Sequence, residues 1–360
     1  MKLEDLFDLQ QLQTIENAPL HLGTRHPIWF PLFGESHRPI DHLVRKAIGD
    51  IAQQNGGESW LRDLTSRLID QKDISNSSAA LAEIRAYGGL LEAGFSIQPI
   101  PRRDNATPDF YINAGDGPIT VEVFAKHQDK EQDWLINSAH SENKPLPDGV
   151  ERSICKMGNL SISTTTVELT PAGYPDPSKP NDSVQANMIS RVCAIKKNEK
   201  QISKEHPSLL IIDFANFGGP HVAELLKGGQ TSPVESGHHG ITCGAIWYAM
   251  YGWKGAPVFE ECTHKTVRMG HDGRFRLDGN TKTKLSAVLV VLTDCAVLLE
   301  NPWAAHRLPD HARFKLSRFP WFDLTRSIAD WSQGDAAHQI AIQRRMIEAM
   351  DRYHGNTKPI

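Results

Sequence analysis

From Ala82 to Lys126 the chain reads AEIRAYGGLLEAGFSIQPIPRRDNATPDFYINAGDGPITVEVFAK, and this order of apolar runs and breakers leaves few folds open. A helical pattern carrying Leu81, Ile84, Leu90 and Leu91 stops at Gly94, with Ser77 or Ser78 as its N-cap. Pro108-Asp109 then opens the apolar run Phe110-Tyr111-Ile112. Ala114-Gly115-Asp116-Gly117-Pro118 forces a turn, and Ile119 to Phe124 is a second run rich in β-branched residues. The segment is expected to run helix, strand, turn, strand. Its hairpin brings Asp109, at the mouth of one strand, beside Glu122 within the next. Two carboxylates so placed repel unless they face solvent or a hard cation lies between them. Glu83 sits on the preceding helix.

The flanking sequence extends the same alternation. Residues 1–40 read as a short helix and a Pro- and His-rich arm with exposed aromatics at Trp29 and Phe30. Apolar spacing from Asp41 to Asp73 fits two helices broken at Asn55-Gly56-Gly57. Beyond the hairpin come a polar stretch to Asn159, a β-like run Leu160 to Leu169, a Pro-dense loop from Thr170 to Asp182 and a helix over Gln185–His206. Leu209-Leu210-Ile211-Ile212-Asp213-Phe214 is unbroken, as in a central strand buried on both faces. Ile241 to Tyr251 and Ser286 to Leu299 supply further strand-like runs, Val267 to Leu277 resembles a hairpin turning at His271-Asp272-Gly273, and Ile328 to Tyr353 closes the chain with helix. The expected class is α/β: a mixed central sheet flanked by helices over 78–305, with an N-terminal arm and helical region over 1–77 and a C-terminal helical region over 306–360.

Composition narrows function. The 360 residues carry a formal net charge of −4, which excludes a uniformly basic coat but not a local basic cleft. Five cysteines without C-x-x-C spacing argue against a disulfide framework and a zinc ribbon. No segment has the length of a membrane span, so no membrane partner is expected. The opening MKLEDLFDLQQLQ is acidic and amphipathic, unlike a signal peptide, and a cytoplasmic location follows as the expectation.

The order Glu83, Pro108-Asp109, Glu122 resembles the PD-(D/E)XK nuclease superfamily, whose fold is restriction-endonuclease-like. The resemblance covers the middle of the chain only. It implies that Asp109 and Glu122 hold Mg2+ (or Mn2+), that Glu83 joins the metal shell, and that a lysine orients or deprotonates the attacking water. It implies a metal-dependent endonuclease cleaving DNA phosphodiester bonds, with a role in antiviral defence against foreign DNA. RNA, a homodimer and a protein partner are compatible with it. The pattern places its lysine at position 124, where this chain has Phe124. Strand alternation puts Glu122, Phe124 and Lys126 on one face, with Lys126 about 7 Å further along. Lys126 is thus one substitute, and Lys200, on the 185–206 helix, is the other. With neither in place, the same fold acts as a nucleic-acid-binding or scaffold subunit.

Two basic clusters bear on nucleic acid. Arg191, Lys196, Lys197, Lys200 and Lys204 crowd the helix ahead of the buried strand, and Arg274 and Arg276 alternate near the turn at 271–273 amid further lysines. Arg102 and Arg103 precede Asp109, near any phosphate the metal would hold. His238-His239 and the Cys262, His264, His271 group fit no common zinc spacing, since adjacent strand residues point to opposite faces.

Overall fold

The computed structural model describes residues 1–18, 25–34, 39–54, 56–70, 74–100, 107–125, 150–158, 160–167, 202–203, 205–215, 244–259, 266–270, 272–275, 283–292 and 294–356. The helices α1 (Leu9–Glu16), α2 (Trp29–Phe33), α3 (Pro39–Ile51), α4 (Gly57–Leu68) and α5 (Ile74–Glu92) come first, followed by the strands β1 (Ser96–Pro99), β2 (Phe110–Asn113) and β3 (Pro118–Ala125). Then come β4 (Val150–Met157), β5 (Leu160–Val167), β6 (Ser208–Asp213), α6 (Ala245–Tyr251), β7 (Pro257–Phe259) and β8 (Thr266–Arg268). The strands β9 (Ala287–Val291) and β10 (Ala296–Glu300) and the helices α7 (Asp310–Leu316) and α8 (Asp335–Asn356) complete the order.

Among the described residues, β1, β2, β3, β6, β9 and β10 form one sheet in that spatial order. Its middle strands β3, β6 and β9 run parallel, and its edges pair antiparallel. The mixed α/β architecture is therefore present, with helices before and after the sheet. Every residue of β6 is buried, as its unbroken apolar run requires of a strand covered on both faces. Strand alternation divides the interior in two. Val121, Val123, Leu209, Ile211, Leu289 and Leu298 pack with residues of α3, α4 and α5 on one side of the sheet. Leu210, Ile212, Val288, Val290, Val297 and Leu299 pack with Tyr248, Tyr251, Ile340 and Ile347 on the other.

α5 is the central helix of the first core. Its residues are apolar or small on nearly every side, so it is buried almost all round. At Gly88 a Cβ would lie 2.1 Å from the Leu43 carbonyl oxygen, which is why α3 can cross there. The helix ends at Gly94, whose φ of +86° is a left-handed turn open to glycine.

Several expected elements differ. The strand-like run Ile241–Tyr251 is helical over Ala245–Tyr251: a short apolar run fits either element, and burial of every side of a short helix needs no alternation. The hairpin expected over Val267–Leu277 is replaced by pairing of β8 with β7. The chain after it turns onto the end of α6, where Gly273, Arg274 and Phe275 donate to the carbonyls of Gly252, Ala249 and Met250. Ser77 lies inside α5 and not at its cap, its hydroxyl donating to the Leu68 carbonyl at 3.0 Å. Trp29 and Phe30 are half-buried, edge to face with ring centroids 5.2 Å apart, and not exposed. The polar stretch before Leu160 contributes β4. Most of the 185–206 helix lies outside the described residues, and 202–203 and 205–206 are not helical.

Candidate functional site

α4 and α5 each turn a charged residue into apolar surroundings. Arg67 shares its side of α4 with Trp60, Leu61, Leu64 and Leu68, all buried. Its Nη1 and Nη2 donate to Oε1 and Oε2 of Glu83 at 2.8 and 2.6 Å, a bidentate and buried pair. Arg67 Nε also lies 3.2 Å from Asp63 Oδ2. Burial alone would lower the pKa of this guanidinium. The Glu83 hydrogen bonds and the charges of Glu83, Asp63 and Asp109 outweigh it and raise the value.

Asp109 brackets Glu122. Its N–H donates to the Val121 carbonyl at 3.0 Å, and its Oδ2 accepts the Val123 N–H at 2.8 Å. β2 begins only at Phe110, opposite Val121, so β3 runs on past its partner. The Asp109 carboxylate takes up the Val123 N–H that a longer β2 would have bonded. Asp109 and Glu122 are both buried, Glu122 to 4% exposure. Glu122 pairs with Leu210 on its other edge. It shares its side of β3 with Phe124, which packs against the second core, while Val121 and Val123 face the core that contains α5.

Asp213 closes β6 beside Ala125, and its Oδ2 lies 3.3 Å from Arg85 Nε on α5, both side chains buried. Buried charge thus collects where the parallel strands β3 and β6 end, the end of such strands at which α/β proteins hold ligands.

The register of β2 and β3 sets Asp109 across from Glu122 in the backbone, with the Asp109 carboxylate bonded to the Val123 N–H. Glu83 is held by Arg67. Among the described residues, no group of three or more His, Cys, Asp or Glu side chains is placed to hold one metal ion. The expected threefold convergence is corrected for two physical reasons: Arg67 holds Glu83 with both nitrogens, and strand alternation turns Glu122 away from the side packed by α5. Arg274 is also corrected as a surface contact. It is 9% exposed and its N–H is bonded to the end of α6. Lys126, Lys196, Lys200, Arg102, Arg103 and Arg276 lie outside the described residues, as do His238, His239, Cys262, His264 and His271.

Arg67, Arg85 and Asp213 were not singled out by the sequence. The signal for Arg67 is an arginine on the apolar stripe of its helix. For Asp213 it is an acid that ends an apolar strand. No family model, no curated protein and no solved structure matches the chain.

Asp109 and Glu122 are donors of the kind Mg2+ takes, since it is held by one or two acids while waters and substrate phosphates fill its remaining positions. They offer no nitrogen or sulfur set for zinc.

Proposed function

We propose that this protein is a metal-dependent DNA endonuclease of the PD-(D/E)XK type, with Asp109 and Glu122 as its metal ligands. The observation that carries this reading is the bracketing of Glu122 by Asp109, whose N–H and carboxylate bond to the backbone of the residues on either side of it, so that two buried acids occupy facing backbone positions of the hairpin. A bound Mg2+ or Mn2+ would supply charge neutralisation at the scissile phosphate and a water of lowered pKa. The chain's own part is positional. The Val123 N–H fixes the Asp109 carboxylate through one oxygen, and the β6 ladder fixes Glu122. Arg67, bonded to Glu83, places a buried positive charge within reach of Asp109 as electrostatic support. The lysine that orients the water is Lys126 or, failing it, Lys200.

The test is cleavage of plasmid, linear duplex and single-stranded DNA with Mg2+ or Mn2+, against EDTA. Asp109→Asn and Glu122→Gln should each lower cleavage by about a hundredfold or more. Lys126→Ala should abolish cleavage and leave duplex binding intact, with Lys200→Ala silent; the reverse pattern assigns the amine to Lys200. A second reading rests on Phe124. It fills the family's lysine position and packs against the second core, as in a nuclease fold kept as a nucleic-acid-binding scaffold. Wild-type protein that binds DNA and never cuts it, across metals and substrate forms, selects that reading.

A further inference from the structure

β4 and β5 form an antiparallel ribbon which, among the described residues, joins no other strand. None of its described residues is buried. Ile154, Met157 and Leu160 are 63%, 66% and 60% exposed. An isolated two-stranded hairpin is marginal in water, so a ribbon of this kind gains its order from what it binds.

Residues opposite one another in an antiparallel ladder share a face. One face therefore carries the pairs Arg152↔Thr165, Ile154↔Ser163 and Lys156↔Ser161. The other carries Glu151↔Thr166, Ser153↔Thr164, Cys155↔Ile162 and Met157↔Leu160. The first face has two cations, hydroxyls on the facing strand and no acid. Arg152 Nε donates to Thr165 Oγ1 at 3.2 Å, which holds the guanidinium on that face. The acid of the ribbon, Glu151, is on the opposite face with Met157, Leu160 and Ile162, while Ile154 shares the basic face.

We propose that this ribbon is a DNA-binding arm whose Arg152 and Lys156 face lies in the major groove of the duplex. The inference rests on the nuclease reading for the kind of partner and extends it to the surface that engages that partner. Charge chooses the face: Arg152 and Lys156 meet phosphate, while Glu151 points away from it. Size chooses the groove. The B-form major groove, about 12 Å wide, admits a two-stranded ribbon, and eight-residue strands at roughly 3.4 Å per residue follow it for about 25 Å. Hydroxyl and cationic donors suit the acceptor-rich base edges and the backbone that flank such a ribbon. The deep, narrow major groove of A-form RNA does not admit it. The arm's Lys156 is exposed and its Arg152 half-buried, whereas Arg274, one of the expected contacts, is buried.

The experiment measures binding of the full chain to a short DNA duplex by fluorescence anisotropy, in EDTA, over a salt series. Arg152→Glu/Lys156→Glu should weaken binding at least tenfold and reduce the slope of log K against log salt by about two, because two phosphate contacts are lost. Arg152→Ala/Lys156→Ala should move both quantities the same way and less far. Leu160→Ser/Ile162→Ser, on the other face, should leave duplex affinity unchanged, and duplex RNA should bind without dependence on the arm. Affinity and slope unchanged in both charge variants would overturn the proposal, as would equal losses with duplex RNA. So would a fall in oligomeric mass confined to the serine variant, with DNA binding untouched by the charge variants; the occupant would then be a second copy of the chain. Cleavage in Mg2+ is scored separately. Arm-dependent binding without cleavage supports the arm and removes the nuclease reading, whereas cleavage with arm-independent binding does the reverse.

Discussion

Arg67 and Glu83 carry opposite charges out of water in the first core, and their worth to the fold depends on which of them is removed. Each has lost its hydration, and the two nearly parallel hydrogen bonds at 2.8 and 2.6 Å replace it. Arg67→Met should destabilise by about 3–5 kcal/mol, since it takes from a buried carboxylate the guanidinium bonded to both of its oxygens. Arg67→Met/Glu83→Leu should recover most of that loss, because the pair is replaced by apolar side chains of similar bulk. Urea denaturation of the wild type, Arg67→Met, Glu83→Leu and the double variant measures the coupling; additive losses would show that the two charges do not act as a pair. The same residues show how far single positions were legible. Asp109 and Glu122 were readable, because a turn of Gly115 and Gly117 fixes which strand residues meet. The partner of Glu83 was not, because α4 and α5 meet through the packing of Arg67 among leucines, which no local spacing encodes.

At the level of elements, α5 sets where Glu83 and Arg85 can reach, and its position depends on a crossing that admits no side chain. Gly88→Ala tests this. Alanine favours the helix by about 1 kcal/mol over glycine. The added Cβ would sit 2.1 Å from the backbone oxygen of Leu43, and α3 must shift to admit it. Overpacking of this kind costs about 1–3 kcal/mol, so steric conflict should exceed the gain in propensity and the net change should be destabilising. A raised urea midpoint in the variant would show that α3 yields freely. Periodicity made the elements of this core legible: α3 and α4 break at Gly56-Gly57, and β6 is the buried strand its sequence describes. It misled at Ile241–Tyr251, where Tyr248 and Tyr251 are fully buried on a short helix and leave no polar face to reveal the period. It was silent at β4, whose VERSICKM alternates Glu151, Ser153 and Cys155 with Arg152, Ile154 and Lys156 and so has no clean apolar face.

Across the whole molecule, the N-terminal arm, the sheet and the C-terminal segment are joined through shared interiors. Leu3, Phe7, Ile15 and Ile28 lie in the same cluster as Val121, Leu298 and Leu316. The arm should therefore unfold with the sheet and not before it, and His26 provides a probe. His26 is buried beside the end of α4, with Nε2 3.4 Å from the Asp70 carbonyl oxygen and no hydrogen-bond partner for Nδ1 among the described residues. Burial pushes its pKa below the ordinary 6.5, and the Asp70 carbonyl and charge only partly oppose this. The folded state then prefers neutral imidazole, while the unfolded chain takes up a proton as pH falls past 6.5. Stability from this residue is full above the unfolded value and is lost as pH drops toward the lowered folded value, with a slope of at most about 1.4 kcal/mol per pH unit. His26→Gln cannot titrate. Between about pH 7 and pH 5, the range in which histidine loses or gains its proton and most carboxylates do not, the wild type should lose urea resistance more steeply than this variant. Protection of α1 amides from hydrogen exchange should fall in parallel with that of β6 as the pH is lowered. If the two proteins show the same pH slope, or if α1 loses protection while β6 keeps it, the arm is a separate folding unit and His26 does not report on the core.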